Sequence, residues 1–120
     1  MKALSLWQPW ASMIIEGEKD VENRTWYCRH RGPLLIHAAL KWDDEGAEWI
    51  EDNFSLSLPL KCDHPRGQII GRVNMINCVV GSESPWFFGP YGYKLEYPEK
   101  LERPIPYRGA LGFFEVTLPE

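Results

Sequence analysis

A mainly β fold with peripheral helices, α+β in class, is what this sequence predicts, and two observations carry the prediction. Short apolar runs recur at Lys2 to Trp7, Leu34 to Ala39, Gln68 to Val80 and Leu111 to Leu118, and most are bounded by glycine, proline or charged residues. Helical periodicity is confined to two stretches, one beginning near Pro9 and one from Asp43 to Phe54, each offering a single apolar face. There is no internal repeat and no low-complexity tract.

The elements follow in order. Lys2 to Trp7 is a short strand that turns at Gln8-Pro9, with proline where the first helical residue can lack an amide hydrogen. Trp10, Met13 and Ile14 lie three and four residues apart on one face, and Gly17 stands where a left-handed C-cap ends the helix. So short a helix needs tertiary packing to persist. Lys19 emerges at the turn. Asp20 to Trp26 then reads as a strand, placing Glu22, Arg24 and Trp26 on one face. Arg31-Gly32-Pro33 is a turn, and Leu34 to Ala39 is a buried strand expected to pair with the strand before it.

Asp43 to Phe54 is an amphipathic helix capped by Asp43 or Asp44, with Ala47, Ile50 and Phe54 inward and Trp49 alongside. Its acids form a solvated face. Leu56 to Cys62 is loop, and Gln68 to Val80 is a central strand in which Gly71 permits a bulge or a close approach. Gly81 to Gly92 crowds Trp86, Phe87, Phe88 and Tyr91 among prolines and glycines, so its rings either plug the interior or line a pocket. Tyr91, between Pro90 and Gly92, is the ring best placed for a ligand. Tyr93 to Tyr97 is a strand, Pro98 to Pro106 a charged connection, Arg108-Gly109 a turn, and Leu111 to Leu118 a closing strand with Leu111, Phe113 and Val116 inward.

A chain of 120 residues fits one domain spanning residues 1–120. Composition is that of an ordinary soluble protein, no apolar run reaches the length of a membrane span, and no basic, cleavable start precedes the first strand, so a cytoplasmic protein is expected. Cys28, Cys62 and Cys78 cannot all pair within the chain, which argues against a disulfide scaffold. Cys28-Arg29-His30 and Cys62-Asp63-His64 offer four soft ligands on paper, but their spacing is not that of a zinc knuckle, and His37 reads as a satisfied strand histidine; no metal or cofactor is expected. The net charge of -4 disfavours general affinity for phosphate backbones. That acidity is local: six acids lie between Trp42 and Asn53, and the remainder holds 13 bases against 11 acids. Arg24, Arg29, His30 and Arg31 are interleaved with Trp26 and Tyr27, a mixture suited to phosphates and stacked bases or simply to a polar hairpin turn.

The run Gln8-Pro9-Trp10-Ala11, the pair Ile14-Ile15 and the spacing Gly17-x-Lys19-x-x-Glu22-x-Arg24-x-Trp26 resemble the ASCH domain of the PUA-like superfamily. SPWFFGPYGYKLE from Ser84 and PIPYRGALGFFEV from Pro104 are similar to segments of its small bacterial, phage and eukaryotic members, so the resemblance covers nearly the whole chain and is to the small stand-alone bacterial or phage type. It implies a PUA-like small β-barrel with a cleft floored by the lysine motif. It also implies binding of RNA or another single-stranded nucleic acid.

On that reading Trp7, Trp26 and Tyr91 stack, Lys19, Arg24 and Arg108 handle charge, Glu22 accepts from an exocyclic amine, Gln8 reads a base edge, and Pro9 shapes the same wall. The alternative implied is a small amidohydrolase acting on an N-acylated cytidine nucleoside, or a nuclease of the same fold, with Lys19 and Glu22 catalytic. In the acetylcytidine hydrolases, however, the third position after the lysine resembles a threonine nucleophile, and here it is Glu22; Thr25 falls on the opposite strand face. An interaction domain whose aromatics are core and whose acidic helix meets a basic partner is the third expectation, and it predicts no enclosed pocket.

Overall fold

Alternation along the first residues makes β1 (Lys2–Gln8), whose Ala3 and Leu4 are both fully buried although they point to opposite faces. The same holds for Leu34, Leu35 and Ile36 in β3 (Gly32–Trp42), which explains why that run is continuously apolar. The computed structural model describes residues 1–56 and 58–117. Between these strands lie α1 (Trp10–Ile15) and β2 (Val21–Arg24); after them come α2 (Asp44–Phe54), a 3-10 turn at Lys61–Asp63, β4 (Gln68–Val79), β5 (Tyr91–Pro106) and β6 (Phe113–Glu115).

The six strands form one sheet in the order β2-β5-β4-β3-β1-β6. That order is open. No ladder joins β2 to β6 among the described residues, so the expected barrel is corrected to an open sheet with helices packed on it. β3 also does not pair with the strand before it: it runs parallel to β1 and antiparallel to β4, while β2 pairs only with Tyr91 to Lys94 of β5. A parallel pair requires a crossover, which α1, β2 and the loop after it supply.

Three further boundaries move. β5 absorbs the expected Pro98 to Pro106 connection, because the short β2 leaves most of its length without a second neighbour and register slips against β4 accommodate prolines that cannot donate. Tyr97, at φ 54, sits at one slip. β2 stops at Arg24, so Trp26 lies in the following loop rather than on the strand. The closing strand shrinks to β6, and Leu111, expected inward, is 99% exposed; Leu118, and Ser57 in the expected loop, lie outside the described residues.

Two apolar layers cover the sheet. Ala11, Ile14 and Ile15 of α1 pack with Leu4, Leu6, Leu34, Ile36, Val73, Met75 and Tyr93 on one side, and Ala3, Leu35, Ile69 and Val116 form the other. Gly71 fits where no other residue would, since a Cβ there would stand 2.5 Å from the Glu99 carbonyl oxygen and 2.7 Å from Ile15. Gly17, at φ 84, ends α1 as expected. A third cluster joins Met13, Val21, Ile50 and Trp86, with Phe54 stacked on Trp86 at 4.0 Å. Among the described residues no helix is long and apolar enough to cross a membrane.

Candidate functional site

A cleft of about 850 Å³ opens where the end of β1, the start of α1, β2, the start of α2 and the Trp86 to Phe88 segment meet. Its charged floor is built by the short turn after α1. Gly17 reverses the chain, Lys19 follows with its side chain 3% exposed, and β2 then carries Glu22 and Arg24 on one face. Lys19 Nζ donates to Glu22 Oε1 at 2.8 Å and to the Val21 carbonyl oxygen, and lies 5.5 Å from the Trp10 ring centre. Arg24 Nε donates to Glu22 Oε2 at 3.0 Å, Arg24 Nη2 donates to the Ser5 carbonyl oxygen, and the guanidinium lies 5.8 Å from the Trp26 ring centre. Each oxygen of Glu22 therefore holds one cation.

The walls are aromatic. Trp26, 43% exposed, is steadied by Tyr93, whose hydroxyl donates to the Trp26 carbonyl oxygen at 3.0 Å. Burial holds the Tyr93 hydroxyl well above the usual tyrosine range, so it stays a donor. Trp7 is 47% exposed with Lys41 Nζ 3.9 Å from its ring centre, where a slip in the β1–β3 register brings Lys41 beside it. Opposite stand Trp10, Trp49, Trp86 and Phe88, with Trp49 5.2 Å from Phe88 and 6.2 Å from Trp10. Trp10 Nε1 donates to Asp43 Oδ2 at 2.8 Å while Asp43 Oδ1 accepts from Gly46 N, so one carboxylate caps α2 and fixes a wall of the cleft. Thr25, Ala110 and Leu111 complete the rim.

Of the residues singled out in the sequence, Trp7, Lys19, Glu22, Arg24 and Trp26 line this cleft and Gln8, Pro9, Tyr91 and Arg108 do not. Gln8 is fully buried outside the cleft, and its amide donates to Ser12 Oγ and the Pro65 carbonyl oxygen while its carbonyl accepts from Ser12 N, so it does not reach a base. Pro9, the residue before α1, is fully buried. Tyr91 became the first residue of β5, paired with Arg24 and packed edge-on to Tyr27. Arg108 is exposed, two residues short of the rim.

Sequence reasoning missed Trp10, Asp43 and Trp49 as site residues, while Trp86 and Phe88 take the pocket-lining alternative it had offered for their segment. It assigned the first to a buried stripe, the second to a cap and the third to the apolar side of a helix, which are locally sound readings. The two Cys-x-His pairs go separate ways: Cys28 meets Cys78, His30 packs on Phe113, and His64 lies against Trp42 and Ser12. No group of three or more metal-binding side chains gathers among the described residues. His37 is a satisfied buried strand histidine, bridging Ser5 Oγ and the Tyr107 carbonyl oxygen.

Comparison with known proteins gives a consistent result. Residues 4–105 match the family model described as the ASCH domain. Over 119 residues, 88% of the chain, the sequence is 29% identical to Activating signal cointegrator 1 of Homo sapiens. Over 81 residues, 63% of the chain, it is 36% identical to the Mus musculus protein of that name. The chain spans 20% and 14% of the length of these relatives. The crystal structure of ASCH from Zymomonas mobilis superposes with a TM-score of 0.58 at 16% identity, covering 97% of this chain and 87% of that one. A mutant of the same protein gives 0.64 at 15% identity, covering 97% and 89%. At that identity the likeness speaks for the fold.

Proposed function

We propose, from the premise that this chain belongs to the ASCH domain family, that its cleft receives one unstacked base of an RNA or other single-stranded nucleic acid. The observation that carries the reading is the Lys19–Glu22–Arg24 ion cluster at the floor of an aromatic-walled cavity of about 850 Å³. A flat, polar-edged guest is what such a site suits: the indoles supply stacking worth about 1–3 kcal/mol per base, and the carboxylate and guanidinium supply hydrogen bonds at its edge. A splayed single-stranded base can enter such a cleft, whereas a base inside a duplex cannot.

The hydrolytic alternative draws less support. The hydrogen bonds of Lys19 go to Val21 and Glu22, and among the described residues no hydroxyl bonds to its amine in the way a nucleophile would. Fluorescence titration with short single-stranded RNA and DNA at low salt tests the proposal. Quenching of tryptophan emission that is lost in Trp26→Ala supports it, and no binding to any strand removes it. Turnover of N4-acetylcytidine by the wild type would favour the hydrolase instead.

A further inference from the structure

We infer that the base this cleft selects is guanine, because the fixed hydrogen-bonding row at its floor matches the edge of that base and of no other common one. The inference rests on the base-binding reading above and adds the identity of the guest.

Among the residues lining the cleft, Glu22, Asp43 and Glu45 are acids and Lys19 and Arg24 are bases. Both bases share the single carboxylate of Glu22, which leaves that cluster with one positive charge, but Asp43 and Glu45 bring the lining as a whole to one net negative charge, so the cleft does not favour a phosphate. The guest at the floor is an uncharged heterocycle, and its phosphates stay outside.

A carboxylate offers about four lone-pair sites, two on each oxygen. Glu22 Oε1 takes one hydrogen bond from Lys19 and Oε2 takes one from Arg24, which leaves each oxygen able to accept another. Two acceptors at carboxylate spacing suit two parallel N–H donors. Beside them the guanidinium of Arg24 has five N–H groups, of which one goes to Glu22 and one to the Ser5 carbonyl oxygen. The floor therefore reads donor, acceptor, acceptor.

The Watson–Crick edge of guanine reads acceptor, donor, donor, from its oxo group, its ring N–H and its amino group. Adenine presents one donor beside one acceptor. Cytosine presents a donor beside two acceptors, and uracil a donor between two acceptors. Only guanine sets two donors side by side, and Trp26 stands beside Arg24 to stack on its face. Lys19 completes the device by fixing the rotamer of Glu22 from the buried side.

The test is fluorescence polarisation with labelled heptanucleotides of uridine carrying guanine, inosine, N1-methylguanine, adenine, cytosine or uracil at the centre. Guanine is expected to bind tightest. Inosine, which lacks only the amino donor, should bind at least about fivefold more weakly, as should the N1-methylated base. Glu22→Gln should equalise guanine and inosine, and the wild-type series gives the answer even where that variant folds poorly. Equal binding of guanine and inosine, or preference for another base, overturns the guanine assignment while leaving base binding intact. Absence of binding to every strand overturns both.

Discussion

Glu22 illustrates how burial decides what one side chain is worth. The ion pair of Lys100 with Glu16 joins side chains 69% and 53% exposed, and such pairs contribute at most about 1 kcal/mol. Lys19 and Glu22 are 3% and 13% exposed, so removing the carboxylate leaves a buried ammonium without its partner. Glu22→Ala is expected to cost about 3–5 kcal/mol in urea denaturation, and a Lys19→Met, Glu22→Leu double variant to recover much of it. A loss below about 1 kcal/mol would show the cluster to be solvated. His64 provides a pH signature. Burial pushes its imidazole below the ordinary 6.5, outweighing the hydrogen bond to the Pro59 carbonyl oxygen and the nearby Asp63 that favour the charged form. The unfolded chain thus takes up a proton at higher pH than the folded one. Stability should be intact above 6.5 and decline as pH falls below it towards the folded value, and His64→Gln should flatten that slope in chemical denaturation at pH 7.5 and 5.5.

Among the elements, α2 joins a cap to a cleft wall. Asp43 was legible as an N-cap because an acid precedes a 3.6-residue apolar pattern, and it does accept from Gly46 N. Its second contact, to Trp10, spans 33 positions and has no local signature. Asp43→Ala should therefore lower stability by about 0.5–2 kcal/mol, as a lost cap does, and also weaken ligand quenching of tryptophan fluorescence, which a cap alone would leave unchanged. Strand β4 carries its own check. Gly71 was legible as a site of close approach, and a Cβ there would meet backbone of β5 and the side chain of α1 at once. Gly71→Val should destabilise by about 1–3 kcal/mol or more in thermal melts, since neither neighbour can move independently. β5 was misread for the converse reason: proline density argues against a strand only where both edges must donate, and most of β5 has one partner.

For the molecule as a whole, a net charge of -4 and a cleft lined by three acids against two bases make salt dependence a discriminating measurement. Raising salt from about 50 to 200 mM should weaken strand binding by less than about tenfold, against the 10³ or more expected of a surface that holds the strand by many phosphates. A steep slope would move the binding surface to the exposed arginines after Trp26. What the sequence determined by itself was local. The turn at Gly17, the facing pair Glu22 and Arg24, the capped acidic helix and the apolar runs all follow from backbone sterics and side-chain period, which act over a few residues. Tertiary structure alone decided that the sheet stays open, that Gln8 and Tyr91 are withdrawn, that Trp10, Asp43 and Trp49 join the lysine motif around one hollow, and that Phe88 lines it rather than plugging the interior. Those outcomes depend on which faces pack together at long separations along the chain, and no periodicity records that.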